Sequence, residues 1–172
     1  GPREWVGKRV VGEINFGCGQ CDACKAGLER HCANRRVMGI LNANGAFAEF
    51  VALPLKNLHA VPENVDDEEA VFVEPLAAAF EILTQVQAKP QDDVLVLGDG
   101  KLGNLCAQVL QLAGTNVTAV GKYPDKLALL DNIGVRTLLL EKWQPHAYDI
   151  VVEATGSAAG LELALSAVRP RG

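Results

Sequence analysis

Asp93-Val94-Leu95-Val96-Leu97-Gly98-Asp99-Gly100-Lys101-Leu102-Gly103 is the stretch on which the fold turns. After Asp93 it runs apolar without interruption to Leu97, as a parallel strand buried on both faces requires. Gly98, Gly100 and Gly103 then have the G-x-G-x-x-G spacing, which is informative only between a strand and a helix, the context found here. Gly98 allows the tight turn, Gly100 lets backbone approach a pyrophosphate, and Gly103 lets helix and strand pack closely. The helix expected over 102–113 offers free N–H groups and a favourable dipole to phosphate. Lys101 and Leu102, at its start, therefore join the three glycines as candidate dinucleotide-binding residues.

Downstream, the pattern predicts strands over 116–120, 135–140 and 149–152 and helices over 124–133 and 157–168, with Ser157 a candidate cap. Strands alternating with helices imply a parallel α/β sheet. The end of the second strand bears on the ribose. An Asp or Glu there commonly holds the 2′-hydroxyl of NAD, whereas this sequence reads Val120-Gly121-Lys122-Tyr123-Pro124. Without a carboxylate a 2′-phosphate meets no repulsion, and Lys122 can bind one, so Gly121 and Lys122 favour NADP over NAD. The alternative leaves Lys122 as an exposed turn lysine, with Asp125 acting on the ribose.

Upstream, Asp66, Asp67, Glu68 and Glu69 suit a helix N-terminus. A longer helix is expected to start with Pro75 at its first position, with Leu76, Phe80, Leu83 and Gln87 on one face. Residues 1–64 have a different texture. Short apolar runs at Val10-Val11, 37–41 and 47–53 are bounded by Gly, Asn and Pro, and read as short strands of an irregular β domain. Asn42-Ala43-Asn44-Gly45 has the chemistry of a turn.

Four of the five cysteines lie between Cys18 and Cys32. Cys18, Cys21 and Cys24 are separated by two residues each, and Cys32 follows after seven. Such spacers let thiolates turn inward onto one ion, and four of them complete a tetrahedral zinc shell with no open position, a structural rather than a catalytic site. A redox Cys-x-x-Cys pair and free buried thiols are the alternatives. The centre would carry a charge of about −2, with Lys25, Arg30, Arg35 and Arg36 near enough in sequence to offset it. His31 reads as a surface residue, and Cys106 as a buried apolar one.

Composition sets outer bounds. With 49% hydrophobic and 22% charged residues the chain reads as globular, and its net charge of −5 opposes a nucleic-acid partner. No run approaches the roughly 20 apolar residues of a membrane span, and the first ten residues carry no apolar signal region. The expected location is cytoplasmic.

The cysteine cluster followed by the glycine-rich turn resembles the zinc-dependent medium-chain alcohol and polyol dehydrogenases. Gly17-Cys18-Gly19-Gln20-Cys21-Asp22-Ala23-Cys24-Lys25-Ala26-Gly27 with Cys32 looks like the family's structural-zinc lobe, Gly45-Ala46-Phe47-Ala48-Glu49-Phe50-Val51 like its following strand, and Leu58-His59-Ala60-Val61-Pro62 like the approach to its interdomain helices. Val73-Glu74-Pro75-Leu76-Ala77 resembles the polyol branch, and Glu153-Ala154-Thr155-Gly156 the turn after the fourth strand of the cofactor domain.

The resemblance implies an α/β chain with three parts. They are a partial GroES-like β domain over 1–64 with its zinc lobe at 17–36, connecting helices over 65–90, and a partial Rossmann-type sheet over 91–172. It implies hydride transfer between an alcohol carbon and NAD(P), one structural zinc, and a small alcohol or carbonyl substrate. Ala154 and Thr155 would touch the cofactor. Glu74 stands where many members place their last catalytic-zinc ligand, and would bind the metal directly, bind it through water, or cap a helix. The family's other catalytic ligands match no residue here; His59 and His146 are poor substitutes. The chain is therefore expected to be catalytically incomplete, a zinc-stabilised nucleotide module by itself. Its 150–152 strand is expected to be an exposed apolar edge that pairs with another copy or with missing segments.

Overall fold

The computed structural model describes residues 2–171 and divides into two compact units, Gly1–Glu74 and Pro75–Gly172. The first unit is built from short elements. Strand β1 (Val10–Gly12) is followed by β2 (Asn15–Phe16), helix α1 (Asp22–Lys25), β3 (Arg36–Met38), β4 (Asn42–Ala43), β5 (Leu58–Ala60) and helix α2 (Asp67–Ala70). β1 pairs antiparallel with β5, and β2-β3-β4 form a separate small sheet. Asn57 joins the two. It is buried, its Nδ2 donates to the carbonyls of Asn15 (2.8 Å) and Glu13 (3.3 Å), and its own carbonyl accepts from Glu13 N–H (2.9 Å). α2 begins with a capping box: Asp66 accepts from Glu69 N–H at 2.8 Å while the Glu69 carboxylate accepts from Asp66 N–H.

Three local expectations fail in this unit. The 37–41 run is not one strand, because Gly39 (φ +69°) ends β3 and turns the chain back into β4. Asn42, expected in a turn, opens β4 with φ +50°. The 47–53 run forms no strand: Phe47 and Phe50 stand exposed, and no ladder forms there. An apolar run becomes a strand only where another strand accepts its hydrogen bonds, and sequence composition does not report that partner.

In the second unit α3 (Val73–Gln85, its first turn spanning the division) precedes β6 (Asp93–Leu97), α4 (Lys101–Leu112), β7 (Asn116–Gly121), α5 (Pro124–Asp131), β8 (Arg136–Leu139), β9 (Ile150–Glu153) and α6 (Ala158–Ala167). The all-parallel sheet has the order β8-β7-β6-β9. β6 explains its own composition. Val94 and Val96 join Ala107 and Leu110 of α4 and Leu127 and Leu130 of α5 in one core. Leu95 and Leu97 join Trp143, Tyr148 and Ala164 and Ala167 of α6 in another. Both faces are covered, so both parities are apolar. Cys106 is buried between Ala79 and Val109, as expected of a small apolar side chain.

α3 starts two residues before the expected position. Pro75 is its third residue, still within the first turn, where a missing N–H costs nothing. Its inner face also differs. Ala79 is fully buried, with Leu76, Ile82 and Leu83 packed around it, while Phe80 points outward and Gln87 lies beyond the helix. The small Ala79 admits α4 closely, and a stripe chosen by size alone misses it. β9 stands at the sheet edge with its residues half-buried. Among the described residues no helix is long and apolar enough to cross a membrane.

Leu110, with no exposed surface, is the hinge of the first core. Leu110→Ala is expected to lower stability by about 2–5 kcal/mol, read as a reduced midpoint of urea unfolding followed by far-ultraviolet circular dichroism.

Candidate metal centre and dinucleotide-binding turn

The cysteines converge through short-range geometry. Cys18 follows β2, Cys21 is the residue before α1, Cys24 lies in α1, and Cys32 follows the single turn Glu29–His31. Their four Sγ atoms all lie within 4.8 Å of one another. Cys21 and Cys32 are 3.7 Å apart and Cys18 and Cys24 4.0 Å. A tetrahedron of thiolates about 2.3 Å from zinc has edges of about 3.8 Å, so the quartet has the dimensions of such a shell.

Its electrostatics fit a dication as well. The N–H groups of Gln20 and Cys21 donate to Cys18 Sγ at 3.5 and 3.4 Å and hold that thiol down at about 6. Burial, together with the neighbouring sulfurs, pushes Cys24 up to about 12. Four thiolates so close repel one another, and a bound dication removes that obstacle. His31 is exposed, as expected.

The glycine-rich turn connects β6 to α4. Gly98 has φ +121°, and a Cβ there would come within 2.8 Å of the Ala154 carbonyl group. A Cβ on Gly103 would collide with the Gly98 carbonyl and crowd the Ala154 methyl at 3.3 Å. Gly100 is the N-cap of α4, with open space where a side chain would be. Lys101 and Leu102 are exposed in the first turn, so the orphan N–H groups of that turn are available to an anion.

The turn after β9 adjoins. The Thr155 hydroxyl and the N–H groups of Thr155 and Gly156 all donate to Glu153 Oε1, holding its carboxyl below the usual range. Ser157 Oγ caps α6 by accepting from Gly160 N–H at 3.0 Å.

Residues 2–63 match the model of the alcohol dehydrogenase GroES-like domain. The L-threonine 3-dehydrogenase of Chelativorans sp. strain BNC1 is 32% identical over 90% of this chain and 48% of its own length. Two solved structures superpose closely. A zinc-binding dehydrogenase of Sinorhizobium meliloti 1021 bound to NADP has a TM-score of 0.87 at 28% identity, over 96% of this chain and 52% of its own. An alcohol dehydrogenase of Escherichia coli CFT073 complexed with NADH has 0.86 at 27%, over 97% and 52%. Residues 2–63 thus belong to the alcohol dehydrogenase GroES-like domain family, and nearly the whole chain is similar to zinc-type dehydrogenases. It spans about half the length of the curated relatives it matches.

In this chain the four cysteines are the only group of three or more metal-ligating side chains among the described residues. Glu74 is exposed, and it is the second residue of α3 rather than its cap. His59 Nε2 lies 2.9 Å from Glu13 Oε1, and His146 stacks on Tyr148 with ring centroids 3.9 Å apart.

Two residues escaped sequence reasoning. Lys56 bridges to Glu29 at 2.5 Å, and Glu29, then Cys24 and Cys18, raise its ammonium above the usual range. It is a cation beside the sulfurs that lies too far along the chain to be noticed. Asp99, read only as a spacer between glycines, accepts from Lys122 N–H (2.7 Å) and Tyr123 N–H (2.6 Å) through Oδ2. Its signal was its position inside the motif. Gly103→Ala is expected to destabilise the second unit by about 3 kcal/mol or more through overpacking, measured as a fall in the thermal midpoint.

Proposed function

We propose that this chain supplies the zinc lobe and the adenine-nucleotide half of an NAD(P)-dependent alcohol dehydrogenase acting on a small alcohol or carbonyl compound. The observation that carries the reading is a four-sulfur cluster of zinc-shell dimensions and a strand–glycine turn–helix in one chain. Cys18, Cys21, Cys24 and Cys32 hold the zinc, which cross-links a lobe with little apolar core of its own. Gly98, Gly100, Lys101, Leu102 and Gly103 cradle the pyrophosphate, Gly121 and Lys122 flank the ribose, and Ala154 and Thr155 close the cofactor's other side. The nicotinamide cofactor supplies hydride chemistry; this chain's residues bind and orient it.

Glu74 is the residue offered to a catalytic metal, its remaining donors coming from outside the described residues. The ribose end carries opposing signals for the choice of cofactor. The exposed Lys122 supports a 2′-phosphate, and the Asp99 carboxylate opposes one. Five unpaired cysteines support a reducing, cytoplasmic setting. A second reading, a zinc-stabilised nucleotide module without turnover, is favoured by the convergence of metal donors at one closed site.

The zinc content of the purified chain after dialysis against a mild chelator tests the assignment. One zinc per chain is expected, falling toward zero in Cys21→Ser and Cys32→Ser. A ratio near two shows a second metal held with Glu74 and sinks the module reading. A folded chain without zinc sinks the assignment of the lobe.

The β9 edge, with Ile150, Val151 and Val152 half-buried, supports pairing with another copy or another segment. Light scattering is expected to show a mass that rises with concentration; a monomer throughout removes that part of the proposal.

A further inference from the structure

β7 ends at Gly121, where a dinucleotide fold selective for NAD commonly carries an acid for the ribose 2′-hydroxyl. The position is not empty in space. Asp99 reaches it from the glycine-rich turn, half-buried, with Oδ2 accepting from both Lys122 N–H and Tyr123 N–H. A Cβ built on Gly121 would run into the Cβ, Cγ and Oδ2 of Asp99. The side chain that residue 121 lacks is thus the space that the carboxylate of residue 99 fills.

We infer that Asp99 is a specificity-determining residue that supplies, from the glycine-rich turn, the carboxylate missing at the end of β7. The site therefore takes a nucleotide with a free ribose 2′-hydroxyl, NAD(H), in preference to NADP(H). This rests on the dinucleotide-binding reading proposed above. Three physical points carry it. Both hydrogen bonds end on Oδ2, and Oδ1, which takes part in neither, has lone pairs to accept from a hydroxyl. The two N–H groups best placed to bind a phosphate at the strand end are already satisfied by a carboxylate. A 2′-phosphate beside Asp99 meets a like charge, and such juxtaposition is strongly unfavourable.

The cations at this end do not offset that charge closely. Lys122 is exposed, where an ion pair is worth little. Lys126 lies over the Tyr123 ring, 4.2 Å from its centroid. Asp125, exposed in the first turn of α5, adds a further negative charge. The sequence-based preference for NADP assumed that no carboxylate was present, and that assumption fails because the acid comes from a residue 22 positions before Gly121.

The test is calorimetric titration of the chain with ADP-ribose and with its 2′-phosphorylated counterpart. The wild-type chain is expected to favour ADP-ribose at least about tenfold. Asp99→Asn, which keeps the shape and removes the charge, is expected to bring the two ligands within about threefold of each other, chiefly by tightening the phosphorylated one. Gly121→Ala, whose methyl displaces the Asp99 side chain, should shift the ratio in the same direction, with circular dichroism confirming that both variants fold.

Wild-type binding of the 2′-phosphorylated ligand as tight as that of ADP-ribose, or tighter, overturns the inference while leaving the dinucleotide site intact. So does an unchanged ratio in the two folded variants. Failure of the wild type to bind either ligand removes the dinucleotide reading and this inference together.

Discussion

The second unit depends on a contact made without side chains. Where β6 passes into α4, Gly103 lies so close to the Gly98 carbonyl that no methyl group fits between them, and the same backbone leans on Ala154 at the end of β9. Two consecutive elements and a third distant in sequence meet there at close range. The approach lets α4 lie down on Val94 and Val96 and closes the core that includes Leu110. It also aims the free N–H groups of the first helical turn past the end of the sheet, toward the place an anion would occupy. Close packing and anion recognition are therefore one constraint, because any side chain that opened the contact would lift the helix from the strand.

The first unit solves a different problem. Its buried apolar residues are few, Phe16, Val37 and Ala70 beside two of the cysteines, and its strands are two or three residues long. Hydrophobic burial on that scale holds little against chain entropy. Sulfur atoms meet where a larger domain would place leucines. The polar bonds of Asn57 and the Lys56–Glu29 pair bring the later part of the unit against the lobe. Within the cluster, N–H donors pull one thiol toward ionisation while burial resists ionisation of another. A dication resolves both tendencies at once.

Much of this was legible in the sequence, wherever the signal is local. The Cys18–Cys32 spacing required only that a short chain turn on itself, and the sulfurs do converge. The run Val94 to Leu97 is apolar at every position because both faces of β6 are covered, and such a strand announces itself without its neighbours. The Ser157 cap and the acidic start of α2 depend on hydrogen bonds spanning three residues. The irregular β region was legible only in outline. Phe47 and Phe50 have the composition of a strand but no strand forms there, and Ala79 outranks Phe80 as a core residue because of what α4 presents to it.

By itself, then, the sequence determined the order of strands and helices in the second unit, the sulfur donor set, and the glycines that admit close backbone approach. Each is written in a short stretch of sequence, where covalent geometry limits the outcomes. Only the tertiary structure decided which charge stands at the ribose end of β7 and which cation stands by the sulfurs. Asp99 reaches the amides of Lys122 and Tyr123 because β6 and β7 are paired in register, and Lys56 reaches Glu29 because the chain doubles back to set β5 against β1. A carboxylate acts on whatever lies within a few ångströms of it, and distance along the chain carries no record of that.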